Sequence, residues 1–217
     1  MDRDAFLARV RRRVDLGFPP NAAHPLARVD DVPEAVYTEP LDDLVGAFVA
    51  AVRRQGGEPH RATTMEALET VLDDVLAGAG TVAVSADPEV ALVTDLLDDR
   101  SIDIVHPRGA NELADVPIGV TGAAGAIART GTVVVASSRA ASRSVSLIPP
   151  VHLALVPAGS IVATPSDWWR NMDDRHPDGP PSQLVFITGP SKSADIELTL
   201  TVGVHGPKRL VVVVWEG

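Results

Sequence analysis

The chain has 217 residues, of which 45% are hydrophobic and only 4% aromatic, so its length and aliphatic composition favour one α/β domain. It contains no cysteine, which excludes disulfides, thiolate metal ligands and cysteine-held iron–sulfur clusters within these residues. Its formal net charge of −10 argues against nucleic acid as the main ligand, because affinity for a phosphate backbone requires a basic surface.

The amino-terminal segment predicts a helix followed by an extended connector. Apolar residues recur at helical spacing over residues 2–14, and several prolines interrupt residues 17–39. We therefore predict a first region, 1–39, with this helix and connector, and an α/β domain over 40–217. The helix is expected to dock its apolar stripe onto another chain. A charged start and the lack of an apolar run of about 18 residues predict a cytoplasmic location without a membrane span.

From residue 40 onwards, helical and strand patterns alternate. Helices are predicted over 41–55 and 64–77, after Asp87-Pro88, and from Pro165. A turn leading into another helix is predicted over 189–200. Strands are predicted over residues 81–85, 102–105, 132–136, 151–156, 161–163, 184–188 and 210–215. This alternation predicts an α/β fold class with a mostly parallel sheet and helices on both faces.

Three glycine-bearing segments adjoin predicted strands, namely 119–131, 189–195 and 203–208. Ligands of open α/β sheets bind beyond the carboxyl ends of the strands, so we expect these segments to converge there. Hydroxyls, backbone amides and cations in them suit a small carboxylate or phosphate. The candidate residues are Arg129, Thr130, Thr132, Gly189, Ser191, Lys192, Ser193, Asp195, His205 and Lys208.

Each candidate also has a structural interpretation, which the sequence leaves open. Ser191 or Ser193 could cap a helix, Lys192 could be solvated, and His205 could bond only to the backbone. The familiar nucleotide-binding motifs and the HExxH metal motif are absent. No metal site is therefore predicted, and the catalytic residues remain unknown.

Three segments together resemble the lactate-utilisation protein C group of the LUD-domain family. They are GVTGAAGAIARTGTVVVASS, SVSLIPPVHLALV and FITGPSKSADIELTLTVGVHGPKRLVVVV, and the resemblance extends over residues 40–217. The family has a strand entry of the type A-E-T-G-T, a P-x-x-H strand and an ending with G-P-S-x-T-A-D-I-E and G-V-H-G-P. Arg129 stands where the family usually has glutamate, and Ser193 where threonine is common.

The resemblance implies a fold similar to the glucosamine-phosphate isomerase, ribose-phosphate isomerase and CoA-transferase superfamily. It also implies a non-redox subunit that helps oxidise L-lactate to pyruvate beside two partners, one cysteine-rich and one iron–sulfur protein. This chain then needs no cofactor, and the iron–sulfur clusters belong to the partners. Two alternatives stay open: a stand-alone enzyme or binding protein for an acyl-CoA or phosphorylated small molecule, and a scaffold with a vestigial pocket. The sequence leaves homo-oligomerisation open too.

Overall fold

The computed structural model describes residues 39–137, 143–172, 181–194, 200–202 and 206–217. Leu41–Gly217 forms one compact unit. The helix predicted over 2–14 and its connector lie outside the described residues, as do the candidate residues Asp195 and His205.

The described elements alternate as the sequence predicts. The α-helices are α1 Leu44–Arg54, α2 Met65–Val75, α3 Ala91–Asp98, α4 Ser144–Leu147 and α5 Pro165–Arg170. Short 3-10 helices span Pro88–Val90, Ala110–Leu113 and Ala158–Ser160. The strands are β1 Glu58–Ala62, β2 Thr81–Val84, β3 Asp103–Val105, β4 Ile118–Gly122, β5 Gly125–Ile127, β6 Thr132–Ser137, β7 Val151–Pro157, β8 Ile161–Val162, β9 Gln183–Ile187, β10 Lys192–Ala194, β11 Leu200–Val202 and β12 Arg209–Trp215.

The main sheet has six strands in the order β1-β12-β7-β4-β2-β3, and every neighbouring pair is parallel. Its central strands are nearly continuous apolar runs because both faces of the sheet are covered. Helices α2 and α3 pack on one face, against Leu153 and Val211 among others. The predicted α/β class with a mostly parallel sheet and helices on both faces is confirmed.

The opposite face carries more than helices. Helix α1 packs there through Phe48 and Val52, and α4 lies over β4. A second sheet, in the order β8-β5-β6-β9, shares this side and contributes Val133 and Val135 to the same core. The fully buried Trp168 of α5 packs on the other side of the second sheet. Among the described residues, no helix combines the length and apolarity needed to cross a membrane.

Strand β1 was not predicted, because it lies at an edge and alternates buried with partly exposed or exposed side chains, Glu58, His60 and Arg61 among them. An edge strand tolerates Pro59, which offers no amide hydrogen to a ladder. Two bidentate ion pairs join β1 to β12 and to the residue that follows it: Arg61 with Glu216 at 2.7 and 2.8 Å, and Arg209 with Glu58 at 2.9 and 2.7 Å. The hydrogen bonds from Arg209 hold the pKa of Glu58 below its usual value.

The helix predicted within 189–200 was wrong where the structure describes this segment. Lys192–Ala194 and Leu200–Val202 are strands β10 and β11, which pair antiparallel. The reason is visible in the sequence: apolar and polar residues alternate strictly over 196–202, a period of two that favours a strand over a helix. The glycine-bearing segment 119–131 holds most of β4, all of β5 and a turn.

Candidate functional site

A cavity of about 240 Å³ lies at the amino ends of β7 and β12. His152 and Leu210, each the second residue of its strand, form its inner wall. Residues 146–147 of α4, residues 185–191 and residues 206–207 complete the lining. We expected the predicted segments to meet at the carboxyl ends of the parallel strands, but the cavity that they border lies at the amino ends. The end of β9, a strand of the second sheet, also borders the cavity there.

His152 is one of the polar residues that line this cavity, and it is fully buried. Its Nε2 atom lies 2.9 Å from the hydroxyl of Thr121, while Nδ1 has no hydrogen-bond partner among the described residues. Burial lowers the pKa of His152 to about 4, so the imidazole is neutral at pH 7. The pairing follows from the register of β4 and β7, which sets Gly119 beside His152 and Thr121 two residues further along the same face.

Helix α4 reaches the cavity because Gly119 lets it approach β4 very closely. A Cβ atom at Gly119 would overlap the carbonyl oxygen of Val145 and lie 3.0 Å from Cγ of Pro149. This close approach places Ser146 and Leu147 in the cavity wall. The hydroxyl of Ser146 donates a hydrogen bond to the carbonyl of Arg143 at 2.9 Å. Its oxygen lone pairs therefore remain to accept a hydrogen bond from a ligand.

A chain of hydroxyl groups runs from the first predicted segment to Thr188, the residue that precedes the second segment. The Thr130 and Thr132 hydroxyls are 2.7 Å apart, and Thr132 is also 2.7 Å from the hydroxyl of Thr188, which lines the cavity. The second and third segments meet where the Ser191 amide donates to the carbonyl of Pro207 at 2.9 Å. The structure thus brings parts of all three segments together, with Gly189 and Ser191 in the cavity lining itself.

The predicted cations lie outside this lining. Lys192 is exposed, and its ammonium group donates to the carbonyl of Gln55 at 2.7 Å, at the carboxyl end of α1. A positive charge there also complements the helix dipole. Gly189, at φ +83°, packs against the same carbonyl, since a Cβ would lie 2.5 Å from it.

Three other predicted residues have defined positions. Lys208 is exposed and its amide donates to the carbonyl of Pro150 at 2.8 Å. Arg129 lies in the turn before β6, where its amide donates to the carbonyl of Ala163 at 3.2 Å. Ser193 lies in β10. Of the described residues that line the cavity, none carries a charge at pH 7.

His152 and Thr121 were not predicted as site residues from the sequence. The signal for His152 was the P-x-x-H pattern of Pro149 to His152, but an isolated histidine in an apolar strand is usually structural. Thr121 gave no signal, because its contact with His152 bridges 31 residues of sequence.

A second cavity, of about 230 Å³, lies near the carboxyl ends of β7 and β12, and none of the predicted residues that the structure describes lines it. Its lining is apolar except for Glu89. Nearby, Asp87 accepts hydrogen bonds from the Ser85 hydroxyl and from the Gly122 amide, the latter at 3.2 Å, and burial raises its pKa. The described residues contain no group of three or more metal-ligating side chains.

Comparison with known proteins gives a consistent result. A family model described as LUD domain matches residues 45–215. Lactate utilization protein C of Halalkalibacterium halodurans is 35% identical over 166 residues, which cover 72% of each chain. The protein of the same name from Bacillus subtilis is 44% identical over 94 residues, which cover 42% of this chain and 39% of that protein. The aligned part is thus less than half of the Bacillus subtilis protein.

One solved structure shares the fold. The crystal structure of a DUF162 family protein from Deinococcus radiodurans matches with a TM-score of 0.61 and 26% sequence identity, over 81% of this chain and 99% of that chain. The family match covers well over half of the present sequence. These findings confirm the resemblance carried by the three sequence segments, and the chain belongs to the LUD domain family.

Proposed function

We propose that this protein acts in L-lactate utilisation, as a non-redox subunit of a system that oxidises L-lactate to pyruvate with iron–sulfur partner proteins. The observation that carries the proposal is the similarity to lactate utilization protein C of Halalkalibacterium halodurans over 72% of both chains. Relatives of the same name in several further bacteria support it.

The chemistry of the reaction assigns the redox work to other chains. Oxidation of lactate to pyruvate removes two electrons and two protons, so an acceptor for both electrons is required. The 217 residues contain no cysteine to hold an iron–sulfur cluster. We therefore propose that the electrons pass to two partner subunits, one cysteine-rich and one carrying iron–sulfur clusters. This chain contributes assembly, or the handling of substrate and product.

Growth on defined carbon sources tests this role. Deleting the gene is expected to abolish growth on L-lactate as sole carbon source and to leave growth on pyruvate intact, because only the oxidation step is lost. The wild-type gene supplied in trans should restore growth, and the purified chain alone should not reduce a dye with L-lactate. Normal growth of the deletion strain on L-lactate would contradict the proposal, as would lactate-dependent dye reduction by the chain alone.

We also propose that the carboxylate of a small ligand is held near the meeting point of the three segments, within reach of Lys192 or Lys208. Both ammonium-bearing residues are exposed, and the loops that precede them are joined by the hydrogen bond from Ser191 to Pro207. Arg129, Thr130, Thr132, Ser193, Asp195 and His205 remain proposed contributors. Thr132 is joined to the cavity lining through the Thr188 hydroxyl.

Replacing Lys192 with alanine is expected to weaken the binding of L-lactate or inorganic phosphate about tenfold, the effect of losing one charge-assisted contact. Calorimetry on the purified protein measures the affinity. Arg54→Ala is the matched control, because it removes an exposed positive charge from α1, near the carbonyl that Lys192 contacts. Equal affinities for the wild type and Lys192→Ala would show that Lys192 contacts only the carboxyl end of α1 and does not bind the ligand.

A further inference from the structure

His152 presents an unsatisfied hydrogen-bonding requirement beside an empty space. The side chain is fully buried, Nε2 is used by Thr121, and Nδ1 has no partner among the described residues. A buried polar atom without a partner costs free energy, and such atoms in native proteins call for an explanation. His152 is one of the residues that line the cavity, so we infer that a molecule bound there is the partner of Nδ1.

The lining defines the chemistry of that molecule. Leu147, Val185 and Leu210 offer apolar surface, and Ser146, Thr188 and Ser191 carry hydroxyls. None of the described lining residues is charged at pH 7, so a carboxylate buried among them would lose its hydration without a counter-charge. An uncharged oxygen on a short alkyl group fits this lining. A carboxylate attached to it fits better at the solvent-facing mouth of the cavity, and Thr188 is an exposed residue of the lining.

We propose that the cavity binds a short-chain 2-hydroxy or 2-oxo acid, with its C2 oxygen hydrogen-bonded to Nδ1 of His152 and its carboxylate at the mouth. The choice of acid rests on the proposed function, because lactate and pyruvate are small members of this class. The cavity, at about 240 Å³, is large enough for either molecule.

Thr121 gives the site a property suited to both oxidation states. A neutral imidazole carries one proton, and a threonine hydroxyl can donate or accept. When Thr121 donates to Nε2, Nδ1 carries the proton and donates to a carbonyl oxygen. When Nε2 donates to Thr121, Nδ1 accepts from a ligand hydroxyl. The same pair therefore recognises pyruvate and lactate without any change of charge, and Thr121 is a positioning residue for the ring.

Calorimetry with L-lactate, pyruvate and propionate on the full chain tests the assignment, since propionate lacks the C2 oxygen. The wild type is expected to bind L-lactate and pyruvate at least tenfold more tightly than propionate. His152→Leu, of similar size but without nitrogen, should bind all three with equal, weak affinity. Thr94→Ala, which removes a hydroxyl of α3 outside the cavity lining, is the control and should keep the wild-type preference.

A second measurement keeps the proposal testable if His152→Leu does not fold. In ¹⁵N NMR spectra of the wild type, pyruvate and L-lactate should shift the Nδ1 resonance of His152, in opposite directions for the two ligands, and propionate should shift it little. The proposal is overturned if none of the three acids binds, if propionate binds as well as L-lactate, if His152→Leu folds and keeps the preference, or if Nδ1 does not respond.

The growth experiment separates this proposal from the proposed function. Loss of growth on L-lactate in the deletion strain, with no His152-dependent binding, would leave the function standing and refute the site. If the acids bind in a manner that depends on His152 but the deletion strain still grows on L-lactate, the site would stand and the proposed function would be refuted.

Discussion

Gly119→Ala is expected to lower the free energy of unfolding by about 3 kcal/mol, at the upper end of the usual cost of overpacking. The added methyl group would overlap the carbonyl oxygen of Val145, a backbone atom that cannot rotate away as a side chain can. Relief requires that α4 move off β4. The same movement would displace Ser146 and Leu147 from the cavity wall, so binding of pyruvate should fall together with stability.

Urea unfolding followed by circular dichroism measures this effect. Gly80→Ala is the matched control, because a Cβ atom there meets nothing within 4 Å, and its stability should stay close to that of the wild type. If the unfolding midpoint of Gly119→Ala equals that of the control, the carbonyl of Val145 does not lie close enough to residue 119 to exclude a methyl group.

Acidification from pH 6.5 to about pH 4 is expected to remove roughly 3 kcal/mol of stability through His152 alone. Burial lowers the pKa of His152 from 6.5 in the unfolded chain to about 4 in the folded protein. Between these two values the unfolded state binds a proton that the folded state excludes, so stability rises with pH across the window. The contribution is fully present above pH 6.5 and is lost as the pH falls towards 4.

Comparison with His152→Gln isolates this contribution. Chemical denaturation at several pH values should give a steeper decline for the wild type than for His152→Gln, while His106→Gln, at an exposed histidine, should follow the wild type. Asp87 acts in the opposite direction, because burial raises its pKa and its protonation favours the folded state, but all three proteins share it. Parallel declines for the wild type and His152→Gln would contradict the lowered pKa.

Sequence patterns predicted the fold well where one periodicity dominated. Helix α1 and strand β12 carry regular apolar patterns, and both were predicted to within three residues at each end. Strand β1 escaped because its partner lies about 150 residues away and its own residues are half polar. The helix predicted within 189–200 was wrong because the alternation of apolar and polar residues after the serine-bearing turn favours a strand.

The candidate site was predictable only in part, for a related reason. Glycine and hydroxyl content marked the segments that surround the cavity, and contacts such as Thr132 with Thr188 join them. The paired His152 and Thr121, and the end of the sheet at which the segments meet, depend on strand order and on a second sheet. Strand order is set by packing between distant parts of the chain, which local patterns do not record.

The position of β12 bears on how the protein is made. It follows the other eleven described strands in the chain, yet it lies between β1 and β7, and among the described strands it is the only partner of β1 in the main sheet. During synthesis on the ribosome, β1 and its neighbouring helices therefore emerge long before their sheet partner exists. An apolar strand edge on β7 stays open until β12 is released and inserts. The sheet can therefore be completed only after β12 has emerged from the ribosome, and until then the open edge of β7 is the point at which a nascent chain most needs protection from aggregation.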